Sequence, residues 1–306
     1  MMIKFRPLIS IILAFGIILV PLAQARADGW ITTRERVDIM LIVAHPDDDQ
    51  LFLGGVIPTY VNQGKKVVTV YMTFTPDSRR GKEALNGLMT VGERQYPVFG
   101  RFEDIYRSTT ELRAVWTESR VQAFLIEQIR KYQPSVIVTQ DVNGEYGHMA
   151  HKWMVAQVRK VFTMSGNPAK YPESAEKYKA WNPLKLYIHM YPCNKLNINT
   201  RIPLARFNGK TAFQMAQLGF ACHSSQNGGM HMVSDSNKYS IRLFGLEQSR
   251  IGFINRTNNM MEGVTQEALH KWNPKVFPNP KPAPSATTPQ WRVPHATEST
   301  KATESD

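Results

Sequence analysis

"VDIMLIVAHPDDDQLFLGG", residues 37 to 55, decides how the rest of the chain is read. Its first half is an apolar run rich in β-branched and aliphatic residues, the pattern of a strand buried on both faces. Pro46 then stops the strand, and three consecutive aspartates follow His45. Leu51, Leu53, Val56 and Ile57 next take up helical spacing as far as Gly64. Capping and the helix dipole account for one or two aspartates at a helix start, but not for a histidine at the strand's end. Packed carboxylates repel one another, so a positive group is expected among them.

Working outward, strand-like and helix-like pieces alternate. "KKVVTVYMTF" (65–74), "SVIVTQ" (135–140) and "LKLYIHMYP" (184–192) read as further buried strands. "GKEALNGLMTVGERQYPVFG" (81–100), "TESRVQAFLIEQIRKYQP" (117–134), "MAHKWMVAQVRKVF" (149–162) and "GKTAFQMAQLGFACHSSQ" (209–226) read as helices, with Thr117 capping the second of these four. This order predicts an α/β domain whose mainly parallel sheet is covered on both faces. Ligands in such folds bind at the carboxyl ends of strands. "HPDDD" follows the first strand and "DVNGEYGHMAH" (141–151) the "SVIVT" strand, so the two densest polar clusters are expected at one rim.

His148 and His151 are three residues apart, on one face of a helix. His45, one aspartate and one of these histidines make two imidazoles and a carboxylate, a catalytic zinc set with a position left for water. Such an ion brings its water's pKa from 15.7 to roughly 7. A second aspartate can then take a proton, and a second histidine can stabilise an oxyanion. The inventory suits hydrolysis of an amide or ester.

"AHPDDD", followed about a hundred residues later by "GEYGHMAH", resembles the PIG-L/LmbE zinc-dependent de-N-acetylases, whose usual motifs are A-H-P-D-D-E and G-H-x-x-H. "ACHSSQ" (221–226) is similar to the family's H-x-S-Q segment. The resemblance covers most of residues 37 to 230. It implies a Rossmann-like three-layer α/β/α sandwich. It also implies zinc (or another divalent metal) on His45, Asp48 and His151, with Asp47 as general base, His148 assisting the oxyanion or leaving group, and Tyr146 contributing. The implied substrates are N-acetylglucosamine-type amides on lipids, thiols or antibiotics. His223 and Gln226 are expected near the substrate, and His189 in a structural place. Asp49 stands where glutamate is usual, and Met149-Ala150 replace the frequent Pro-Asp that orients the neighbouring histidine. The family's arginine and glutamate after strand two are echoed only loosely by "GERQY", so Glu93 and Arg94 receive no role.

The ends read differently. Lys4 and Arg6, an apolar stretch from Leu8 to Leu22, and "AQA" and "ARA" lay out a signal peptide over 1–27, cleaved after Ala25 or Ala27. The apolar run is shorter than the ~20 residues of a spanning helix, so no stable membrane span is expected after cleavage. A secreted or periplasmic deacetylase domain over 28–272 should follow, and then a disordered tail over 273–306 holding seven of the chain's 19 prolines. Cys193 and Cys222 would either bridge or remain two free thiols in that compartment. Loss of Lys4, Arg6 and Arg26 lowers the formal charge from +12 to +9. No basic run with interleaved aromatics points to nucleic acid. The expected partner is an N-acetylated amino sugar, glycan or glycolipid. The rival readings are a non-catalytic metal-containing glycan-binding protein and an Fe(II) oxygenase, the latter on His45-Pro46-Asp47.

Overall fold

Ile39–Val43 forms β1, and its five side chains are all buried, as the unbroken apolar run requires. Around it the computed structural model describes residues 29–106, 108–226, 232–254 and 256–278. In chain order follow α1 (Asp48–Leu51), α2 (Val56–Asn62), β2 (Val67–Thr73), α3 (Arg79–Thr90), β3 (Val98–Phe102), α4 (Thr109–Val115) and α5 (Glu118–Tyr132). Then come β4 (Val136–Thr139), α6 (Met149–Met164), α7 (Pro172–Tyr178), β5 (Lys185–His189), β6 (Lys195–Asn197), α8 (Ala212–Ala221), β7 (Leu243–Ser249) and α9 (Gln266–Trp272).

The sheet order is β3-β2-β1-β4-β5-β7-β6. β3 through β5 pair in parallel, and β7 runs antiparallel to both β5 and β6. Side chains of β1 alternate between two cores. Met40 and Ile42 pack with Val121, Leu125 and Ile129 of α5 and Met154 and Val158 of α6. Ile39, Leu41 and Val43 pack with Val56 and Ile57 of α2, Leu88 of α3 and Met215 of α8. Helices therefore cover both faces, giving the three-layer α/β/α sandwich. Each such buried aliphatic side chain contributes ~1.5–3 kcal/mol.

Three expectations are corrected. The helix expected over 81–100 ends at Thr90, and Val98–Phe102 pairs with β2 as an edge strand. The helix expected after the aspartates is two short ones, α1 and α2, and no aspartate side chain caps the first: Asp47 stands at the N-cap with φ 115° and makes no capping bond. The packed fold also runs past Trp272. Asn273 is buried, it accepts from the Asn182 N–H at 2.7 Å, and Val276 and Phe277 pack against the core. Thr117 does cap α5, accepting from the Arg120 N–H. The signal peptide, the tail from 279 on and the Asn255 sequon lie outside the described residues. Among the described residues no helix is long and apolar enough to cross a membrane.

Candidate metal and catalytic site

β1's neighbours are β2 and β4. The chain leaves β1 toward one sheet edge and returns on the other side at β4, so a crevice opens at the carboxyl ends of β1 and β4. His45 sits at the first end, and the loop after β4 carries Glu145, Tyr146 and His148 to the second. His148 is the N-cap of α6, which places His151 one turn inside.

Three donor atoms converge here. His45 Nδ1 lies 3.1 Å from His151 Nε2 and 3.2 Å from Asp48 Oδ2, and His151 Nε2 lies 3.3 Å from the same oxygen. Ligands ~2.0–2.1 Å from a tetrahedral ion lie roughly 3.3–3.4 Å apart, so this triangle has the dimensions of one face of such a site. Its electrostatics agree. Burial would raise the Asp48 carboxyl, but His151 and His45 hold it well below the usual carboxylate range. Burial opposes charge on His151, yet Asp48 and Glu145 raise it to about 10. His45 is raised by Asp104 and Asp48 against the same opposing burial. The site favours positive charge at its centre, so the donor set fits a divalent cation.

A ring nitrogen of His148 also lies within 4.8 Å of ligand atoms of His45 and His151. However, His148 Nδ1 accepts from the Ala150 N–H at 3.2 Å. The neutral ring then carries its hydrogen on Nε2, which makes His148 a donor into the site rather than a third imidazole ligand. Burial and the two neighbouring histidines lower it to about 4, so it is neutral at physiological pH.

A cavity of about 150 Å³ opens beside the triangle, lined by His45, Asp47, Asp48, Arg80, Tyr146 and His148 among others. Asp47 is raised to about 7, first by burial and then by Asp48, while Arg80 pulls the other way from 2.8 Å. Tyr146 stays protonated, because burial and the Asp48 and Asp47 carboxylates push its ionisation upward. Gln226 lines the cavity. His223 does not: it is fully buried, beside Gly87 and the Phe220 ring, so the expectation that it contacts substrate is not met here. Cys193 and Cys222 are both free thiols, and the bridge considered from the sequence is absent.

Sequence reasoning missed several residues. Arg80 pairs with Asp47 and also donates to the Pro46 carbonyl. Glu83, one turn on, accepts from Ser224 Oγ, Ser225 Oγ and the Ser225 N–H, and so ties down the segment that carries Gln226. An arginine and a glutamate after β2 therefore do serve this rim, but they are Arg80 and Glu83. Glu93 is instead buried against Thr69. The i, i+3 spacing of Arg80 and Glu83 at a helix start was the available signal. Asp104, whose Oδ1 is 3.3 Å from His45 Nε2, comes from a loop with no pattern to flag it. His189 was expected in a structural place. It is fully buried, with Nδ1 3.2 Å from Glu145.

The fold and site together define an α/β protein with a triangle of His–Asp–His donor atoms at the switch point of a parallel sheet. Residues 40–162 match the family model described as PIG-L, GlcNAc-PI de-N-acetylase. It is 27% identical over 182 residues to a 1D-myo-inositol 2-acetamido-2-deoxy-alpha-D-glucopyranoside deacetylase of Rhodococcus erythropolis, covering 49% of this chain and 59% of the relative. It is 28% identical to a second protein of that description from Saccharopolyspora erythraea (48% and 63%). It is 25% identical to a mycothiol S-conjugate amidase of Streptomyces coelicolor (50% and 60%). The chain thus spans less than two thirds of the length of these relatives. Among solved structures, an N,N'-diacetylchitobiose deacetylase from Pyrococcus horikoshii aligns at a TM-score of 0.48 and 15% identity, over 64% of this chain and 72% of that one.

Proposed function

We propose that this protein is an exported, zinc-dependent de-N-acetylase acting on the acetamide of an N-acetylglucosamine-type sugar or glycoconjugate. The observation that carries this reading is the convergence of His45 Nδ1, Asp48 Oδ2 and His151 Nε2 to within 3.1–3.3 Å, beside a cavity holding Asp47. The acetamido sugars in the relatives' names support the substrate class, and the amino-terminal pattern of residues 1–27 supports export.

His45, Asp48 and His151 would hold the ion, which supplies Lewis acidity and brings a water's pKa toward ~7. The remaining steps belong to this chain's own side chains. Asp47 accepts the proton of the attacking water. Its value of about 7 suits a base working near neutral pH, and Arg80 fixes the direction of its carboxylate. His148 donates its Nε2–H to the oxygen that gains charge as the amide carbonyl is attacked, and Tyr146 offers a second protonated donor at the same cavity. Asp47 then returns the proton to the departing amine.

The test is acetate release from N-acetylated amino sugars and glycans by the zinc-loaded protein. Asp47→Asn should lower release by ~10²–10⁴-fold while zinc content stays at the wild-type level, and His151→Ala should lose the zinc. Full activity in Asp47→Asn would overturn the base assignment. Tight glycan binding with no acetate from any substrate would favour the non-catalytic reading.

A further inference from the structure

Met149 and Ala150, between the two histidines of α6, offer no carboxylate to steady a ring. The structure supplies one from another place. Glu145 Oε2 lies 2.7 Å from His151 Nδ1, the ring nitrogen opposite the one in the donor triangle. Its Oε1 accepts from the Asp141 N–H at 2.8 Å and faces His189 Nδ1 at 3.2 Å. His189, at the end of β5, is itself fixed by its Nε2, 3.1 Å from the Ser240 carbonyl. Gln140 lies alongside: its Oε1 accepts the Ala44 N–H at 2.9 Å, and its amide nitrogen, 2.9 Å from His151 Nδ1, donates to Glu145 Oε2 at 3.5 Å. Both side chains of the Glu145–His189 pair are completely buried.

We propose that Glu145, held in place by His189, is the positioning residue for His151. The proposal rests on the metal reading above. With Nδ1 donating to Glu145, His151 must present the lone pair of Nε2 to the triangle, and the carboxylate makes that nitrogen a better donor. His189 and the Asp141 N–H occupy the second carboxylate oxygen, so Glu145 cannot rotate away. Backbone geometry points the same way. Glu145 has φ +53°, left-handed and disfavoured for a residue with a Cβ, between Gly144 at φ +71° and Gly147 at φ +94°. The loop accepts that conformation at the residue whose side chain must reach back under α6. A carboxylate that merely joined β5 to the loop would have no need to sit on the ligand ring. His45 has a comparable contact, Asp104 against its Nε2, but that carboxylate is partly exposed and lines the cavity.

The experiment is zinc affinity of the full chain, measured by competition with a chromophoric chelator, alongside the melting temperature of each zinc-free form. Glu145→Gln keeps the volume but removes the charge, and should weaken zinc ~10–100-fold. Glu145→Asp retains the charge at shorter reach and should fall between Glu145→Gln and wild type, so the question survives if Glu145→Gln folds poorly. His189→Asn should weaken zinc in the same direction by a smaller factor. It should also shift the visible spectrum of the cobalt(II)-loaded protein, which a purely structural role for His189 would leave alone. Wild-type affinity in Glu145→Asp and His189→Asn overturns the inference and leaves the metal reading standing. Failure of the wild-type chain to take up one zinc ion overturns the metal reading and the inference with it.

Discussion

Asp47 carries both the proposed base and the most unusual backbone of the site. Its φ of 115° is outside the regions favoured for a residue with a Cβ, a strain of ~1–3 kcal/mol that the surroundings must impose. Two contacts do so: its N–H donates to Asp49 Oδ1 at 3.3 Å, and its carboxylate pairs with Arg80. Asp49, fully buried and raised to about 6 by that burial, thereby shapes the turn rather than capping a helix. A second arginine carries an energetic prediction. Arg130 is fully buried, and its guanidinium donates to the carbonyls of Ser165, Asn167, Lys170 and Tyr171 and to Ser174 Oγ. Lysine cannot reproduce that fork. Arg130→Lys should leave several buried carbonyls unpaired and lower stability by about 2–4 kcal/mol, measured by urea unfolding. That His45, one of the three aspartates and a histidine of α6 meet was legible because these groups stood at the ends of apolar runs, whereas the choice of Asp48 and His151 came only from the family resemblance. Glu145 and Arg80 were not legible, since each acts only through a partner that the fold brings to it.

At the scale of elements, legibility follows burial. β1, β2, β4 and β5 are continuous apolar runs, and their registers carry them into the middle of the sheet. β3 ("VFGRF") is an edge strand of mostly partly buried residues, β6 has three residues, and β7 ("LFGLEQS") loses its burial toward its end. Edge strands need neither strict alternation nor a solid apolar run, so periodicity passes over them. Packing of α8 against α1 and α3 also depends on what is missing from side chains. A Cβ on Gly54 would stand 2.4 Å from the Gln50 carbonyl oxygen and 2.7 Å from Ala216 Cβ, both in tightly packed backbone or core. Gly54→Ala should therefore cost about 1–3 kcal/mol, seen as a lower midpoint in thermal unfolding. Wild-type stability in that variant would mean that α8 can move away from α1 more easily than this packing implies.

At the scale of the whole molecule, the domain closes on itself through the segment after α9. Asn182 and Asn273 exchange backbone and side-chain hydrogen bonds, Trp272 O accepts from Asn182 Nδ2, and the Phe277 ring lies against Trp181. A chain ending at Trp272 loses the Asn273 bonds and the burial of Val276 and Phe277. It should be about 2–4 kcal/mol less stable than one ending at Pro278, measured by thermal unfolding of the two. The proline-dense composition after 273 concealed this docking, because three packed residues, Asn273, Val276 and Phe277, are too few to alter the character of a 34-residue segment.

His45 and His151 stand 106 positions apart in the chain, yet their ring nitrogens nearly touch. At roughly 5–20 residues per second, a ribosome delivers them some 5–20 s apart. Throughout that interval the early aspartates are an acidic turn with one imidazole, and β5, which holds His189, has yet to emerge. An ion held jointly by these two rings would therefore be taken up only after α6 has been made and has packed beside β1.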